Sequence, residues 1–216
     1  MKTCCLLFRV LTFALLAASS AIAVPVLTLP ETNGNTQAIA NTTAGWSFTV
    51  NQTIQVTALG LFDDASVTGL TDSHQIGIWD SSSALIASAT VPSGTAATLV
   101  SNFRYVSIAP VTLLAGQVYT IGASFLANSF DYSNIFRTSA VFNPVITYGE
   151  ARTVLGSGLN NPVDSGFGLE QGVFGPNFDF ILAGGAPELD TVSATLPLAF
   201  ASMLLLSLKR RRFRSL

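Results

Sequence analysis

The chain has 216 residues, of which 49% are hydrophobic and 10% charged, with 17 glycines, 9 prolines, 2 cysteines and a formal net charge of -2. That length fits one domain of ordinary size with appendages, and the apolar fraction suffices for a buried core, which excludes disorder driven by charge. Of the ten basic residues only Arg104, Arg137 and Arg152 lie between Arg9 and Lys209, whereas all twelve acidic residues lie between Glu31 and Asp190, so the middle stretch carries a net -9 and, being free of lysine, lacks the basic patch that nucleic acid requires.

Residues 1–23 read as a secretory signal peptide, an N-terminal signal helix. Lys2 and Arg9 supply positive charge, Val10 to Leu16 the apolar stretch, and Ala21 and Ala23 an A-x-A site for signal peptidase. Cleavage leaves Val24 as the new N-terminus. Both cysteines, Cys4 and Cys5, fall in the removed segment. The mature chain then has no disulfide, no thiolate nucleophile and no cysteine-ligated metal.

Residues 24–185 are expected to form one all-β domain. No amphipathic helical repeat is evident; short runs rich in β-branched and aromatic residues alternate with turn residues. In chain order the candidate strands are Gly45 to Val50, Ile54 to Phe62, Gln75 to Trp79, Leu85 to Val91, Phe103 to Ile108, Val118 to Phe125, Val145 to Tyr148 and Phe178 to Leu182. Turn chemistry at Asn51-Gln52, Asp63-Asp64, Asp80 to Ser83, Pro92-Ser93-Gly94 and Ala115-Gly116 separates them. This spacing predicts an antiparallel, jelly-roll-like β-sandwich. Residues from about 126 to 176 are less regular, and such a stretch is either a binding loop or a poorly ordered one.

One constellation in the body offers chemistry. Asp63 and Asp64 end one candidate strand, and Asp72 and His74 precede the next, so these carboxylates could hold Ca²⁺ from a single loop. In the plainer reading they make turn hydrogen bonds and His74 packs at the base of the loop, with no cofactor. A hydrolase built on His74, the one histidine, lacks a nucleophile elbow. One histidine does not make a multi-histidine zinc site, so no enzyme is expected. Trp46 and Trp79 lie in candidate strands and are expected in the core, while Tyr132 and Phe136 are the better candidates for a sugar-stacking platform.

At the C-terminal end, Gly184 to Asp190 is a small-residue linker, 192–208 is an uncharged apolar stretch, and Lys209, Arg210, Arg211, Arg212 and Arg214 form a basic tail. The apolar stretch predicts a transmembrane helix near the lower length limit, and the basic cluster predicts a cytoplasmic C-terminus. The body then lies on the far side of the membrane, as the signal peptide also requires.

The order of Pro187-Glu188-Leu189, a hydrophobic helix and a basic cluster resembles the PEP-CTERM sorting signal over residues 186–216, with Leu189 in place of the usual second proline. The resemblance implies an exosortase-like processing enzyme that cuts near Pro187-Glu188, removes the helix, and leaves the protein at the cell surface or outside the cell. From Gly45 to Phe125 the body resembles a bacterial β-sandwich domain of unknown function common in PEP-CTERM proteins. Gly45-Trp46-Ser47-Phe48, Leu59 to Asp64, Gly69-Leu70, Ser73 to Trp79, Ala87 to Val91, Phe103-Arg104-Tyr105, and Leu114-Ala115-Gly116 before Tyr119 carry it. Together these readings point to an exported, non-enzymatic surface or matrix protein of structural or adhesive role. A carbohydrate-binding module, calcium-assisted and with extracellular polysaccharide as partner, is the alternative.

Overall fold

The computed structural model describes residues 23–29, 36–38, 40–63, 68–128, 131–136, 140–165 and 171–183, with the main chain alone at 36–38, 132–136 and 171. Ala21, the proposed sorting residues Pro187, Glu188 and Leu189, the apolar stretch 192–208 and the basic residues Lys209, Arg210, Arg211 and Arg212 lie outside the described residues, as does Asp64. Ala23 is exposed at the start of the described body, which is one compact unit, Ala21–Gly185. Every regular element among the described residues is a strand, and no helix among them is long and apolar enough to cross a membrane.

The described residues form fifteen strands. The short N-terminal ones are β1 (Val24–Pro25), β2 (Leu27–Thr28) and β3 (Thr36–Ala38), followed by β4 (Thr42–Val50), β5 (Ile54–Phe62), β6 (His74–Asp80) and β7 (Leu85–Val91). Then come β8 (Thr98–Val100), β9 (Phe103–Leu113), β10 (Val118–Phe125), β11 (Tyr132–Phe136), β12 (Val141–Phe142), β13 (Ile146–Leu155), β14 (Gln171–Phe174) and β15 (Pro176–Leu182). They assemble into two five-stranded sheets, ordered β1-β15-β5-β9-β8 and β13-β4-β10-β6-β7, with a three-stranded sheet β14-β11-β3 and a pair β12-β2. All pairings are antiparallel.

Alternation explains how the two large sheets meet. In β4, Ala44, Trp46, Phe48 and Val50 share one face and Gly45, Ser47 and Thr49 the other. Trp46 stacks on Phe178 of β15 at a centroid distance of 6.3 Å, and Phe48 lies 5.3 Å from the same ring. The Trp46 indole N–H donates to the Pro176 carbonyl at 3.0 Å, so its one polar atom is satisfied inside the core. Leu59 of β5, Ile121 of β10 and Ile76 and Ile78 of β6 belong to the same buried cluster. The sheets therefore face each other across a single core, as the alternating pattern predicted.

Several strands run longer than expected, β4 and β15 by starting earlier and β9 and β13 by continuing through a bulge. The sequence places a strand end at Ile108, yet β9 continues through Pro110 to Leu113. The register jumps from Ala58↔Ser107 to Val56↔Val111, so Pro110 falls where no ladder donor is needed. In β13 the register jumps between Tyr148 and Ala151. There the Ser47 hydroxyl accepts from the Glu150 N–H at 3.1 Å and donates to the Glu150 carbonyl at 3.4 Å. That bulge breaks the period of two, which is why the sequence shows a strand only to Tyr148. The stretch from about 126 to 176, expected to be irregular, thus carries β11, β12, β13 and β14.

The outward face of the second sheet is shaped by glycine. Gly45, Gly122 and Gly77 are in register across β4, β10 and β6, leaving a channel without side chains. The segment after β13 lies in it. Thr43 donates to the Gly158 carbonyl at 3.0 Å and accepts from the Asn160 N–H at 3.0 Å, while Thr153 bridges to Asp164. A Cβ at position 122 would come within 2.9 Å of the Pro162 ring and 3.0 Å of the Thr43 methyl. Gly122→Ala is therefore expected to lift this strap and cost about 1–3 kcal/mol by overpacking, measured by urea unfolding. An unchanged midpoint would show that the strap is not seated there.

Candidate functional site

The charged groups that the sequence gathers into one loop are divided by the structure between two buried networks at the same end of the strands. The first is built on Asp63, just past β5, and Arg104 in β9, whose strands pair there through Phe62 and Phe103. Arg104 Nε donates to Asp63 Oδ2 at 2.6 Å, with both side chains almost wholly buried. Arg104 Nη1 donates to the carbonyls of Ala97 at 3.0 Å and Thr95 at 3.3 Å. The guanidinium thus holds the chain leading into β8 as well as the acid. Asp63, the first residue of the proposed calcium set, spends its carboxylate on this cation.

The second network centres on His74, the first residue of β6, which is fully buried. Its Nδ1 lies 2.8 Å from the Ser124 carbonyl and its Nε2 lies 2.7 Å from Asp131 Oδ2. Asp131 also accepts the Thr71 N–H at 2.8 Å, the Thr71 hydroxyl at 2.6 Å and the Asp72 N–H at 3.0 Å. Burial opposes the charge on Asp131, but the hydrogen bonds from His74, Thr71 and Asp72 outweigh it and hold the carboxyl down at about 2. Both ring nitrogens of His74 are thus held in hydrogen bonds, one to a main-chain carbonyl and one to a carboxylate.

Asp72 reaches this network through its main-chain N–H, and no cluster of three or more His, Cys, Asp or Glu side chains stands ready for a metal among the described residues. Asp131 is the member that sequence reading missed. It lies 57 positions from His74 with no local motif to flag it. Arg104 did carry a signal: a cation between Phe103 and Tyr105 in a strand has to be paired if it is buried.

Of the aromatics, Trp46 is fully buried in the core, as expected, whereas Trp79, though only 4% exposed, is not a core residue: it shares the pleat face of Gln75 and Gly77, opposite Ile76 and Ile78, and its ring lies over Gly77 on the outward face of β6. Tyr132 and Phe136 fall in β11, where only the main chain is described. Beside Trp79 and Leu159 there is a shallow depression of about 470 Å³, lined by Gln75, Leu85, Ser88, Ala89, Thr90 and Leu159. Gln75, Ser88 and Thr90 are exposed in it and offer one amide and two hydroxyls.

A third titratable group lies on β15. Asp179 Oδ1 and the Tyr105 hydroxyl are both buried next to each other, without a hydrogen bond of good geometry. Burial pushes the Asp179 carboxyl up to about 6, and burial together with the Asp179 charge pushes the Tyr105 phenol upward. Because the folded state holds the Asp179 proton more tightly than the unfolded one, stability falls as the pH rises from about 4 to above 6. Asp179→Asn is expected to raise Tm by a few degrees at pH 7 to 8 and by less at pH 4. An equal effect at both pH values would contradict this assignment.

The site and fold define a class: an all-β domain of antiparallel sheets whose described cations, Arg104 and Arg152, are both held in internal pairs. The chain belongs to the family described as a domain of unknown function (DUF4082), whose model matches residues 28–166. The match begins before and ends after the stretch from Gly45 to Phe125 that carries the resemblance. No curated protein matches the chain.

Proposed function

We propose that this is an exported, non-enzymatic surface or extracellular-matrix protein, sorted by an exosortase-like enzyme through Pro187-Glu188-Leu189 and built on a jelly-roll β-sandwich of structural or adhesive role. The observation that carries it is the pair of terminal addresses flanking a single acidic β-domain. The interleaved strand order, β1-β15-β5-β9 against β4-β10-β6-β7, supports the jelly-roll reading. In it β8 and β13 are additions at the sheet edges. Such a domain in an oxidising compartment depends on packing and buried ion pairs, since the mature chain lacks cysteine.

Intact mass of the protein from envelope and medium, in strains with and without the exosortase, tests the reading. The expected species runs from Val24 to about Pro187, with or without an added group, and only when the enzyme is present. A species retaining Leu216 in both strains would defeat the sorting proposal.

The alternative, a carbohydrate-binding module, is favoured by the depression beside Gln75, Ser88 and Thr90. Binding to matrix polysaccharide that Gln75→Ala weakens would support it. A calcium-assisted version would draw on Asp63, Asp64 and Asp72. The commitment of Asp63 to Arg104 argues for binding that survives EDTA.

A further inference from the structure

Asp179 of β15 has one carboxylate oxygen, Oδ1, buried without a hydrogen bond of good geometry, and it makes no ion pair with any described residue. The buried acids at the far end of the strands have their cations: Asp63 holds Arg104 and Asp131 holds His74. The Asp179 side chain lies on the outer pleat face of the first sheet, opposite to Phe178, which stacks on Trp46. The Tyr105 ring, over Gly60, is the one described titratable group that faces it from β5 and β9. Arg104 is on the other face of β9, committed to Asp63.

The body has few cations to offer. From Val24 to Asp190 the chain holds Arg104, Arg137, Arg152 and His74, and no lysine. Arg104, Arg152 and His74 are taken by Asp63, Glu150 and Asp131, and Arg137 lies outside the described residues.

The N-terminal strand β1 is placed beside Asp179. Val26 N–H donates to the Phe178 carbonyl at 2.9 Å, and the register sets Pro25 opposite Asp179 and Val24 opposite Phe180. Bonded and non-bonded pairs alternate along an antiparallel ladder, so Pro25 and Asp179 form a close, non-bonded pair. Val24 belongs to the next bonded pair, which lays its nitrogen along β15 one position from Asp179. While the chain continues back into Ala23, this nitrogen is a neutral amide. Hydrolysis between Ala23 and Val24 leaves the carboxylate on Ala23 and an ammonium group on Val24.

We infer that the ammonium group created at Val24 by signal cleavage is the counter-ion of Asp179, so that export itself locks β1 onto β15. The inference rests on the export signal of the proposed function. β1 is an edge strand of two residues, one of them proline, so its ladder alone holds it weakly. Burial without a cation raises the Asp179 carboxyl to about 6, and a neighbouring ammonium opposes that shift. The gain expected from Asp179→Asn belongs to the chain that continues before Val24; at a free Val24 it is lost.

The lysine-free body allows a direct test. The exported protein is purified as it occurs, and intact mass reads its first residue. An N-hydroxysuccinimide ester of acetic acid then modifies the α-amino group and, where the tail is retained, Lys209, with the acetyl groups counted by mass. Acetylation needs the unprotonated amine, and pairing with a carboxylate lifts the amine above its usual pKa of about 8. At pH 7 the folded wild type is therefore expected to react several-fold more slowly at Val24 than folded Asp179→Asn, and the two alike in urea. Acetylation should lower Tm by several degrees in the wild type and leave Asp179→Asn unchanged.

Equal rates in the two folded proteins, or an equal loss of Tm on acetylation, would overturn the pair and leave the export reading standing. A first residue other than Val24 would remove the cleavage site, and the inference with it.

Discussion

Asp63→Ala is expected to destabilise the domain by about 3–5 kcal/mol, because it leaves the Arg104 guanidinium buried without its counter-charge. Total stabilities of about 5–15 kcal/mol make this a large fraction of what holds the fold. The cost comes from desolvation: Arg104 is 5% exposed and its remaining partners are the main-chain carbonyls of Ala97 and Thr95. These carry partial charge only. Arg104→Ala should cost a similar amount from the other side, since Asp63 is 3% exposed.

Replacing both, as Asp63→Leu with Arg104→Met, is expected to recover most of the loss, because an apolar pair incurs no charge burial. Urea unfolding of the wild type, Asp63→Leu, Arg104→Met and the double variant closes a double-mutant cycle that reads the coupling directly. If the two single variants lose less than about 1 kcal/mol each, the range of exposed pairs, the pair is solvated in solution and the buried geometry is wrong.

Asp131→Ala is expected to be comparably damaging, about 3–5 kcal/mol, since it removes the acceptor for His74, the Thr71 N–H and hydroxyl and the Asp72 N–H together. His74 has no exposure through which water could replace the lost bond. The wild-type protein also carries a pH signature of this network. The folded Asp131 carboxyl is held at about 2 against an ordinary value of 3.8, so the unfolded chain takes up the proton first as the pH falls.

The stabilisation is fully present above about pH 4 and is lost progressively as the pH drops toward 2. Asp131→Asn should remove that acid-side slope while keeping the side chain's shape. The single histidine makes the site easy to observe: any imidazole signal of the folded protein belongs to His74 alone. A slowly exchanging ring N–H should be present in the wild type and lost in Asp131→Ala. Identical acid unfolding of wild type and Asp131→Asn would show that Asp131 is not ionised in this network.

Much of the scaffold is legible in the sequence. β5, β7 and β10 match their expected bounds because each is a continuous run between turn residues, and β6 departs by a residue at either end. Trp46 was expected in the core because it lies in a candidate strand, and the alternation of β4 places it there with Phe48. β9 and β13 were cut short because their bulges place Pro110 and the Gly149-Glu150 pair inside strands, where a period of two no longer holds. The site was much less legible. Asp63, Asp72 and His74 stand within twelve positions of one another, which invites a single metal-binding loop. Asp63 instead turns to Arg104, and His74 turns to Asp131 and Ser124.

What the sequence by itself determined is therefore local. The alternation of apolar and polar residues specifies strands, turn residues specify where they stop, and the sorting of charge along the chain leaves the body acidic and poor in cations. These follow from short-range sterics and from which side chains favour water, and both act within a few residues. The partner of each buried charge was decided only by the tertiary structure. A desolvated ion takes whichever counter-ion the packed strands bring within about 3 Å, and that proximity arises from register across sheets, not from distance along the chain.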